Sequence, residues 1–355
     1  MNNFLELKSF YSGKKVFLTG HTGFKGGWLS LWLSMMGAEV AGFALKADEE
    51  SIFNLAKIAD ELVKSTIGDI RNAEEISAAV KNFQPEIIIH MAAQPLVRDS
   101  YFDPRKTYDT NVMGTLNVFE AARKAGSVKV VTNITTDKCY ENKEIDYLYQ
   151  EGDMLGGHDP YSSSKACAEI LTSSYRRSFL QKEGIFLASA RAGNVIGGGD
   201  FSVDRIICDI FRSIREGKEV ELRSPKAIRP WQHVLEPLSG YLILTKNLHE
   251  KGEIFAKAYN FGPNSDAEQN VETLTKNFIE KIGRGSYKIN VSSNLHEAGI
   301  LKLDHSLATK ELNWHPKLSF DETLQWTSNW YRNYLEQKSD IRNFTLDQIA
   351  TFSQR

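Results

Sequence analysis

A tyrosine and a lysine stand four residues apart in the segment Tyr161-Ser162-Ser163-Ser164-Lys165. If this segment opens a helix, Tyr161 and Lys165 share one helix face. A lysine cation beside a phenol favours the phenolate and lowers the tyrosine pKa from about 10 towards neutrality. The spacing therefore predicts that Tyr161 is a base that takes a hydroxyl proton while hydride leaves the same carbon.

A second reactive group follows an apolar run, 129–134, that is typical of a buried strand. The residues after it are Thr135-Thr136-Asp137-Lys138. Side chains at the carboxyl ends of parallel strands face the ligand crevice of an open α/β sheet. The hydroxyl of Thr136, the acid of Asp137 and the amine of Lys138 are therefore expected near Tyr161, and these four residues with Lys165 form the predicted catalytic set.

A glycine-rich segment provides a phosphate-binding signal near the start of the chain. Gly20, Gly23 and Gly26 follow an apolar run and precede an amphipathic one. Glycines permit the tight turn and a close approach of the backbone to a pyrophosphate, and the following helix directs its N–H groups at the anion. We predict a dinucleotide site here, formed by Gly20, His21, Thr22, Gly23, Phe24, Lys25 and Gly26. Asp69 and Ile70, after a third strand, are expected to hold the adenine.

These residues require a scaffold of alternating strands and helices. Short apolar runs at 16–18, 39–45, 86–90, 129–134 and 185–190 alternate with helical patterns at 26–36, 73–82, 111–125 and 161–179. Near-continuous apolar strands separated by helices indicate an α/β fold with a doubly wound parallel sheet of the Rossmann type.

The regular alternation of strand and helix patterns ends near residue 197. We predict a cofactor domain over 1–197, then a smaller domain over 198–355 that binds the substrate and returns some segments to the first domain. The Gly197-Gly198-Gly199-Asp200 turn is expected to be flexible. The polar segment from Lys338 onward is expected to be loosely packed or interfacial.

Composition narrows the classes of function. The 355 residues carry 43 Lys and Arg against 45 Asp and Glu, a net charge of -2, which argues against nucleic-acid binding. Three scattered cysteines and isolated histidines favour neither disulfides nor a metal site. No apolar run reaches about 18 residues and no signal peptide is evident, so we expect a cytoplasmic protein away from membranes.

Together the motifs resemble the extended short-chain dehydrogenase/reductase superfamily. Besides the glycine-rich segment and the Tyr161/Lys165 pair, the resemblance rests on Gly68-Asp69-Ile70, His90-Met91-Ala92-Ala93, Asn111-Val112-Met113-Gly114-Thr115 and Arg191-Ala192-Gly193-Asn194. It implies that NAD is the cofactor, and it adds Ala92, Ala93, Asn111 and Arg191 to the predicted cofactor-binding residues.

Within that superfamily the chain resembles the CDP-glucose 4,6-dehydratase family. The strings that carry this resemblance are G-H-T-G-F-K-G-G-W-L, A-A-Q-P-L-V-R, T-T-D-K-C-Y-E-N, G-G-H-D-P-Y-S-S-S-K and R-P-W-Q-H-V-L-E-P. It implies a hydro-lyase that oxidises C4 of CDP-glucose, eliminates water across C5 and C6 and returns hydride to C6. Such enzymes serve deoxysugar biosynthesis for O-antigen or lipopolysaccharide.

The resemblance also assigns roles. Thr136 would hydrogen-bond the C4 oxygen, Lys138 would remove the C5 proton and Asp137 would protonate the leaving C6 hydroxyl. Lys165 would bind the nicotinamide ribose. For the nucleotide sugar we predict contacts from Gln94, Asn194, Arg205, Arg223, Arg229 and Asn260, since arginine forks match pyrophosphate oxygens.

Several alternatives stay open. The chain could be a nucleotide-sugar epimerase, although the Asp137-Lys138 pair argues against it, or a 4,6-dehydratase with another nucleotide. A cofactor-sensing scaffold without turnover is a third interpretation. Lys46 stands where family members often have an acid, so Lys25 and Lys46 could tolerate the 2'-phosphate of NADP. Relatives pair through two helices, here 112–125 and 161–179, which predicts a homodimer.

Overall fold

The computed structural model describes residues 3–290 and 299–355. The strands in this part of the chain are β1 (Lys15–Thr19), β2 (Glu39–Ala44), β3 (Lys64–Ile67), β4 (Ile87–His90), β5 (Val130–Ile134), β6 (Leu148–Tyr149), β7 (Phe186–Arg191), β8 (Val195–Ile196), β9 (Val220–Leu222), β10 (Ile228–Pro230), β11 (Gln232–His233), β12 (Ala258–Asn260), β13 (Glu268–Asn270), β14 (Tyr287–Ile289) and β15 (Lys302–Leu303).

The α-helices of the same residues follow the predicted alternation with the strands. They are α1 (Asn3–Tyr11), α2 (Phe24–Met35), α3 (Ile52–Leu55), α4 (Ala73–Phe83), α5 (Val97–Phe102), α6 (Pro104–Tyr108), α7 (Gly114–Ala125), α8 (Pro160–Ser178), α9 (Ile206–Glu216), α10 (Leu235–Lys251), α11 (Val271–Ile282), α12 (Ser306–Leu312), α13 (Phe320–Glu336) and α14 (Ile341–Ser353).

A seven-stranded sheet forms the centre of the molecule. Its strand order is β12-β7-β5-β4-β1-β2-β3, and all neighbouring strands run parallel. The prediction of a doubly wound parallel sheet is confirmed. The edge strand β12 lies beyond residue 197 and pairs with β7, so the second half of the chain does return to the sheet.

Both faces of the sheet are covered by helices, because alternate strand residues face opposite sides. Val16 and Leu18 of β1 pack in one apolar cluster with Trp28 of α2, while Phe17 between them packs in the other with Val118 of α7. Helices α2 and α10 lie on the first face; α4, α7 and α8 lie on the second.

Helix α8 begins where the sequence places its start signal. Asp159 is the N-cap residue, and its carboxylate accepts a hydrogen bond from the backbone N–H of Ser162 at 2.9 Å. Pro160 occupies the first turn, where its missing N–H is harmless. Tyr161 and Lys165 consequently lie one turn apart on the buried side of α8.

Among the described residues after 197, two small sheets, β9-β14 and β10-β13, lie with α9, α11 and α13, while β11 and β15 pair with the earlier strands β8 and β6. The prediction of a flexible Gly197–Asp200 turn is wrong. A Cβ on Gly198 would lie 1.9 Å from the ring of Trp330, so the turn is tightly packed.

Of the two expectations for the segment from Lys338 onward, loose packing is wrong. Residues 341–353 form α14, and Ile349 and Phe352 on it are fully buried. The Phe352 ring meets Trp32 of α2 edge to face at 5.8 Å. The segment is polar on average, but it carries a narrow apolar stripe that packs on α2. No helix in the described residues is long and apolar enough to cross a membrane.

Candidate active site

A cleft of about 940 Å³ opens at the carboxyl ends of the central strands. It runs from the loops after β1, β2 and β3 past the end of β5 to the turn before α9 and strand β9. Ligands of open α/β sheets bind at this edge, where the strand order reverses. Within the described residues, no group of His, Cys, Asp and Glu side chains is arranged to hold a metal ion.

The loop after β1 contains glycines for two different structural reasons. Gly20 has φ +78°, and a Cβ on it would lie 2.8 Å from the Ala92 nitrogen; a Cβ on Gly26 would lie 2.0 Å from the Gly20 carbonyl oxygen. The fold itself therefore requires both. A Cβ on Gly23 would meet only the Gly20 carbonyl oxygen, at 3.4 Å, so the bare backbone there leaves room in the cleft.

Helix α2 starts at this loop with no side chain capping its first N–H groups. Uncapped N–H groups and the positive end of the helix dipole form a site for an anion. The loop and helix therefore fit the pyrophosphate of a dinucleotide. Thr22, Phe24 and Lys25 line the cleft with the three glycines, as predicted for the loop.

The far end of this half of the cleft is lined by Leu45, Asp69, Ile70 and Arg71. The Arg71 side chain donates to Asp69 Oδ2 at 2.9 Å from Nε and 2.5 Å from Nη2. This bidentate contact holds the pKa of Asp69 below its usual value. Ala92 and Ala93 line the cleft between this end and the reaction centre.

The reaction centre is built around the hydroxyl of Thr136. It donates to Asp137 Oδ1 at 2.8 Å. Thr136 and Tyr161 both line the cleft. Residues Asp137–Cys139 form a short 3₁₀ turn whose N-cap is Thr136. The turn places the threonine hydroxyl against the buried acid, on the side of the cleft that Tyr161 also lines.

The segment after β7 packs against the carboxylate of Asp137 and holds it in place. Asp137 is fully buried, and a Cβ on Gly193 would lie 2.0 Å from its carboxyl carbon. Asn194, in the left-handed conformation at φ 50°, donates to Asp137 Oδ2 at 3.3 Å. The Lys138 ammonium lies 3.7 Å from Asp137 Oδ1 and faces the cleft. Thus Gly193 and Asn194 fix the acid beside Lys138.

Burial shifts the pKa of both residues of the Tyr161/Lys165 pair. It raises the pKa of Tyr161 above its usual value, while the Thr136 hydrogen bond and Arg205 act in the opposite sense. It lowers the pKa of Lys165 to about 8, although Glu169 opposes the change. The expectation of a lowered Tyr161 pKa is wrong for the protein alone, because desolvation outweighs the nearby cations.

Lys25 is directed at the reaction centre and away from the adenosine end. Its Nζ lies 5.9 Å from the ring centre of Tyr241. Burial lowers the pKa of Lys25 to about 7, with further contributions from Arg205 and Lys165. Lys46 is exposed and does not line the cleft. Neither lysine is therefore placed to read a 2'-phosphate on the adenosine ribose.

The outer half of the cleft is lined by three predicted arginines, two of which pair with aspartates. Arg205 Nη1 lies 2.5 Å from Asp200 Oδ2, and Arg223 Nη1 lies 3.0 Å from Asp204 Oδ1. Arg229 donates to the carbonyls of Ile228 and Gly299. All three predicted arginines and Asn194 line the cleft.

Five predicted binding residues do not line the cleft, and each is held in the scaffold. His21 bonds Ser65 Oγ at 2.8 Å, and Arg191 pairs with Glu169 at 2.7 Å. Asn111 forms hydrogen bonds with Gln94 and Ser164. Gln94 also forms hydrogen bonds with Leu96 and Thr107. Asn260 forms hydrogen bonds with Tyr140 and Tyr149. These five residues belong to the sequence motifs, but their side chains support the residues that line the cleft and do not line it themselves.

Sequence reasoning missed several polar residues of the site. Arg98 lines the cleft and bonds Asp204 at 3.3 Å, and Asp200 and Asp204 anchor the arginines. Arg98 belongs to the A-A-Q-P-L-V-R string, which could have identified it. Tyr241, whose buried hydroxyl has no hydrogen-bond partner among the described residues, carries no local signal.

The parallel sheet, the glycine-rich loop and the clustered Thr136, Tyr161 and Lys165 define an extended short-chain dehydrogenase/reductase. Within this class, residues 17–327 match the family model of GDP-mannose 4,6 dehydratase, and the chain belongs to that family. It is 48% identical over 335 residues to the CDP-glucose 4,6-dehydratase of Salmonella typhimurium, covering 92% of this chain and 93% of the relative. The predicted family is confirmed.

More distant relatives share the architecture. The dTDP-glucose 4,6-dehydratase of Mycobacterium tuberculosis is 27% identical over 79% of this chain and 81% of its own. A solved dTDP-glucose 4,6-dehydratase from Bacillus anthracis, in complex with NAD, matches with a TM-score of 0.75 at 23% identity, over 91% of this chain and 98% of that one. The UDP-glucose 4-epimerase of Thermotoga maritima matches with a TM-score of 0.77 at 21% identity, over 90% and 99%. These solved structures establish the fold.

Proposed function

We propose that the protein is an NAD-dependent CDP-glucose 4,6-dehydratase, which converts CDP-glucose to CDP-4-keto-6-deoxyglucose and water. The observation that carries this proposal is that Thr136, Lys138 and Tyr161 line one part of the cleft, with the buried Asp137 directly behind Thr136 and Lys138. Oxidation at C4 needs only Tyr161 and Thr136. Elimination across C5 and C6 needs in addition an acid and a base, and Asp137 and Lys138 supply them.

NAD would be held by residues of the inner half of the cleft. The loop Gly20–Gly26 and the start of α2 would bind the pyrophosphate, Asp69 and Ile70 the adenosine, and Lys165 the nicotinamide ribose. Bound NAD would supply the acceptor for the hydride from C4 and the donor of the hydride to C6. We expect NAD to bind more tightly than NADP, since Lys25 is directed at Tyr241. Titration of both dinucleotides tests this, and tighter NADP binding would contradict it.

The sugar ring would lie with C4 against Tyr161 and Thr136. Lys138, once it has lost its proton, would take the C5 proton, which the neighbouring 4-ketone makes acidic. Asp137 would protonate the departing C6 oxygen. The arginines of the outer half would bind the diphosphate, because guanidinium forks match its oxygens. Asp200 and Asp204 hold the guanidinium groups of Arg205 and Arg223 in place before the substrate arrives.

The decisive experiment incubates the purified protein and NAD with CDP-, dTDP-, UDP- and GDP-glucose in parallel. Formation of a 4-keto-6-deoxy sugar from CDP-glucose, with much slower turnover of the others, is the expected result. Inversion of C4 without loss of water would instead identify an epimerase. Preference for another nucleotide would identify another 4,6-dehydratase, and binding without turnover a scaffold.

We further propose a cytoplasmic homodimer. Apolar side chains on the two predicted pairing helices support the dimer: Ile170 on α8 is 57% exposed, and Met113, just before α7, is 48% exposed. The free cysteines Cys139, Cys167 and Cys208 suit a reducing compartment. Sedimentation of the wild type and of an Ile170→Glu variant tests the dimer, and cell fractionation tests the location.

A further inference from the structure

The far end of the cleft, where Asp69 and Ile70 would hold the adenosine of NAD, has no aromatic side chain among its described lining residues. The aromatic residues that line other parts of the cleft are Phe24, Tyr140, His158, Tyr161, Trp231 and Tyr331. Adenine is a flat ring, and proteins hold such rings by stacking them on an aromatic side chain or on a guanidinium. At this end of the cleft the flat cation is the guanidinium of Arg71.

Arg71 is fixed in place by its neighbour Asp69. Arg71 donates to Asp69 Oδ2 at 2.9 Å from Nε and 2.5 Å from Nη2, and its backbone N–H donates to Asp69 Oδ1 at 2.9 Å. The main chain is held as well, because the Asn117 amide donates to the carbonyl oxygens of Ile70 and Arg71 at 2.9 and 3.1 Å. A long side chain that is already ordered loses little rotamer freedom when a ligand binds.

The contact with Asp69 decides which part of the guanidinium a ligand can use. A guanidinium binds anions through the N–H groups on its edge, and it stacks through its face. The edge formed by Nε and Nη2 is occupied by the Asp69 carboxylate, which also supplies the counter-charge. The Arg71 side chain is nevertheless 42% exposed and lines the cleft. A phosphate would have to displace Asp69 from this edge, whereas a flat ring would not.

We propose that the Arg71 guanidinium is the platform on which the adenine ring of NAD stacks, and that Asp69 is the positioning residue that keeps this platform in place. The inference rests on the proposed function, because it takes NAD as the cofactor. It goes further by assigning the adenine contact to a side chain outside the glycine-rich loop, and by giving Asp69 a role that acts through Arg71.

Stacking and hydrogen bonding make different demands on the base. A stacked ring can exchange its amino group for an oxygen at little cost, since its flat face is kept. A ring whose amino group donated to Asp69 could not, because the new oxygen would face a carboxylate oxygen without a proton between them. Nicotinamide hypoxanthine dinucleotide, which has an oxygen in place of the adenine amino group, therefore separates the two modes.

Calorimetric titrations of the purified protein with NAD, nicotinamide hypoxanthine dinucleotide and NADP test the platform. We expect the wild type to bind the first two with affinities within about threefold of each other. Arg71→Met should weaken both by about tenfold, through loss of the stacked cation. Arg71→Lys should behave like Arg71→Met, because lysine keeps the charge without the plane. The control is Arg105→Met, which breaks a pair with Asp109 outside the cleft lining and should leave NAD affinity unchanged.

A second comparison tests the role of Asp69. Asp69→Asn should weaken NAD binding in the wild-type background, because the platform is released. In the Arg71→Met background it should cause no further loss, since two residues that act through one contact are not additive. An equal loss in both backgrounds would show that Asp69 contacts the base directly, and it would overturn the positioning role. Thermal unfolding of each variant shows that the fold is kept.

Three results would overturn the platform. The first is wild-type affinity for NAD in Arg71→Met or in Arg71→Lys. The second is a wild type that binds the hypoxanthine dinucleotide about tenfold or more weakly than NAD, as a lost hydrogen bond would cause. The third is a larger loss for NADP than for NAD in Arg71→Met, which would mean that the arginine reads a phosphate.

Failure of the proposed function gives a different result. A wild type that shows the expected titrations but forms no keto sugar from CDP-glucose would refute the dehydratase and support the platform. A wild type that does not bind NAD would overturn both.

Discussion

Two consecutive threonines that follow β5 donate hydrogen bonds to two buried carboxylates. The other hydrogen-bond and charged partners of these two carboxylates differ. Thr135 donates to Glu169, which also accepts from Ser189 at 2.8 Å and from the Arg191 guanidinium at 2.7 Å. Thr136 donates to Asp137, whose other contacts are an amide at 3.3 Å and an ammonium at 3.7 Å. Both threonines directly follow β5, so the end of one strand serves both acids.

The difference separates a structural acid from a reactive one. Burial opposes the ionisation of Glu169, yet Arg191 and the two hydroxyls hold its pKa below the usual value. Its carboxylate therefore has a full set of partners and no reason to exchange protons. Asp137 borders the cleft-lining Thr136, Lys138 and Tyr161, and its one short contact is a hydroxyl that can itself transfer a proton.

Replacing Asp137 should have one of the two largest effects. Asp137→Asn keeps the shape but removes the proton donor for the C6 oxygen, so formation of the keto sugar should fall by about 10² to 10⁴. Thermal unfolding should change little, and reduced nicotinamide should accumulate after CDP-glucose is added. Wild-type product formation by this variant would show that the acid has no role in elimination.

Tyr161→Phe should slow turnover by about 10² to 10⁴ as well, but at the earlier step. The phenol oxygen carries the proton while the ring does the packing, so NAD binding should be nearly unchanged. Rapid-mixing absorbance should show no build-up of reduced nicotinamide, in contrast to Asp137→Asn. Turnover of CDP-glucose at the wild-type rate would end the assignment of Tyr161 as the proton acceptor.

Glu169→Gln should act on stability. The buried Arg191 guanidinium would lose its counter-charge, and loss of one partner of a buried pair costs about 3–5 kcal/mol of unfolding free energy. The control is Glu183→Gln, which breaks an exposed pair with Arg123 at the same 2.7 Å distance and should cost about 0.2–1 kcal/mol. Denaturant unfolding measures both, and equal costs would contradict the comparison.

A third buried carboxylate, Glu236 on α10, extends the comparison to an acid without a close cation. Burial raises the pKa of Glu236 to about 7, although it accepts from the backbone N–H groups of Lys317 and Leu318. Because the folded pKa lies above the unfolded one, the protonated acid favours folding below about pH 4.5, and that benefit is lost as the pH rises through 7.

Glu236→Gln should therefore leave the unfolding free energy at pH 4.5 unchanged and increase it at pH 8 by on the order of 2 kcal/mol. The exposed Glu253→Gln is the control and should show no such difference between the two pH values. Equal stability of Glu236→Gln and the wild type at pH 8 would mean that the folded protein solvates this carboxylate well.

The sequence patterns predicted the strands and helices of the first half of the chain closely. Strand ends differ by one or two residues, since apolar runs and glycine turns are local signals. The edge strand β12 has only three residues, and its pairing with β7 depends on the return of a distant segment. The packing of α14 was missed for the same reason, because the contact of Phe352 with Trp32 joins segments about 320 residues apart.

The structure brings Thr136, Lys138 and Tyr161 to one cleft because these residues follow strand and helix ends, which are local signals. The binding residues were predicted less well. Arg191 and Asn260 are strong motif residues whose side chains face Glu169 and Tyr140, and no spacing rule reveals which side of a strand end a partner occupies. The raised pKa of Tyr161 also depends on burial, which the tyrosine–lysine spacing does not report.

Helix α14 has a consequence for how the protein is made on the ribosome. The cofactor loop opens α2, and Trp32 of α2 is covered by Phe352 of α14. More than 300 residues must be synthesised before that ring arrives. The apolar surface of α2 at Trp32, next to the nucleotide site, therefore stays uncovered until α14 has left the exit tunnel. During synthesis this surface is the part of the chain that most needs a chaperone.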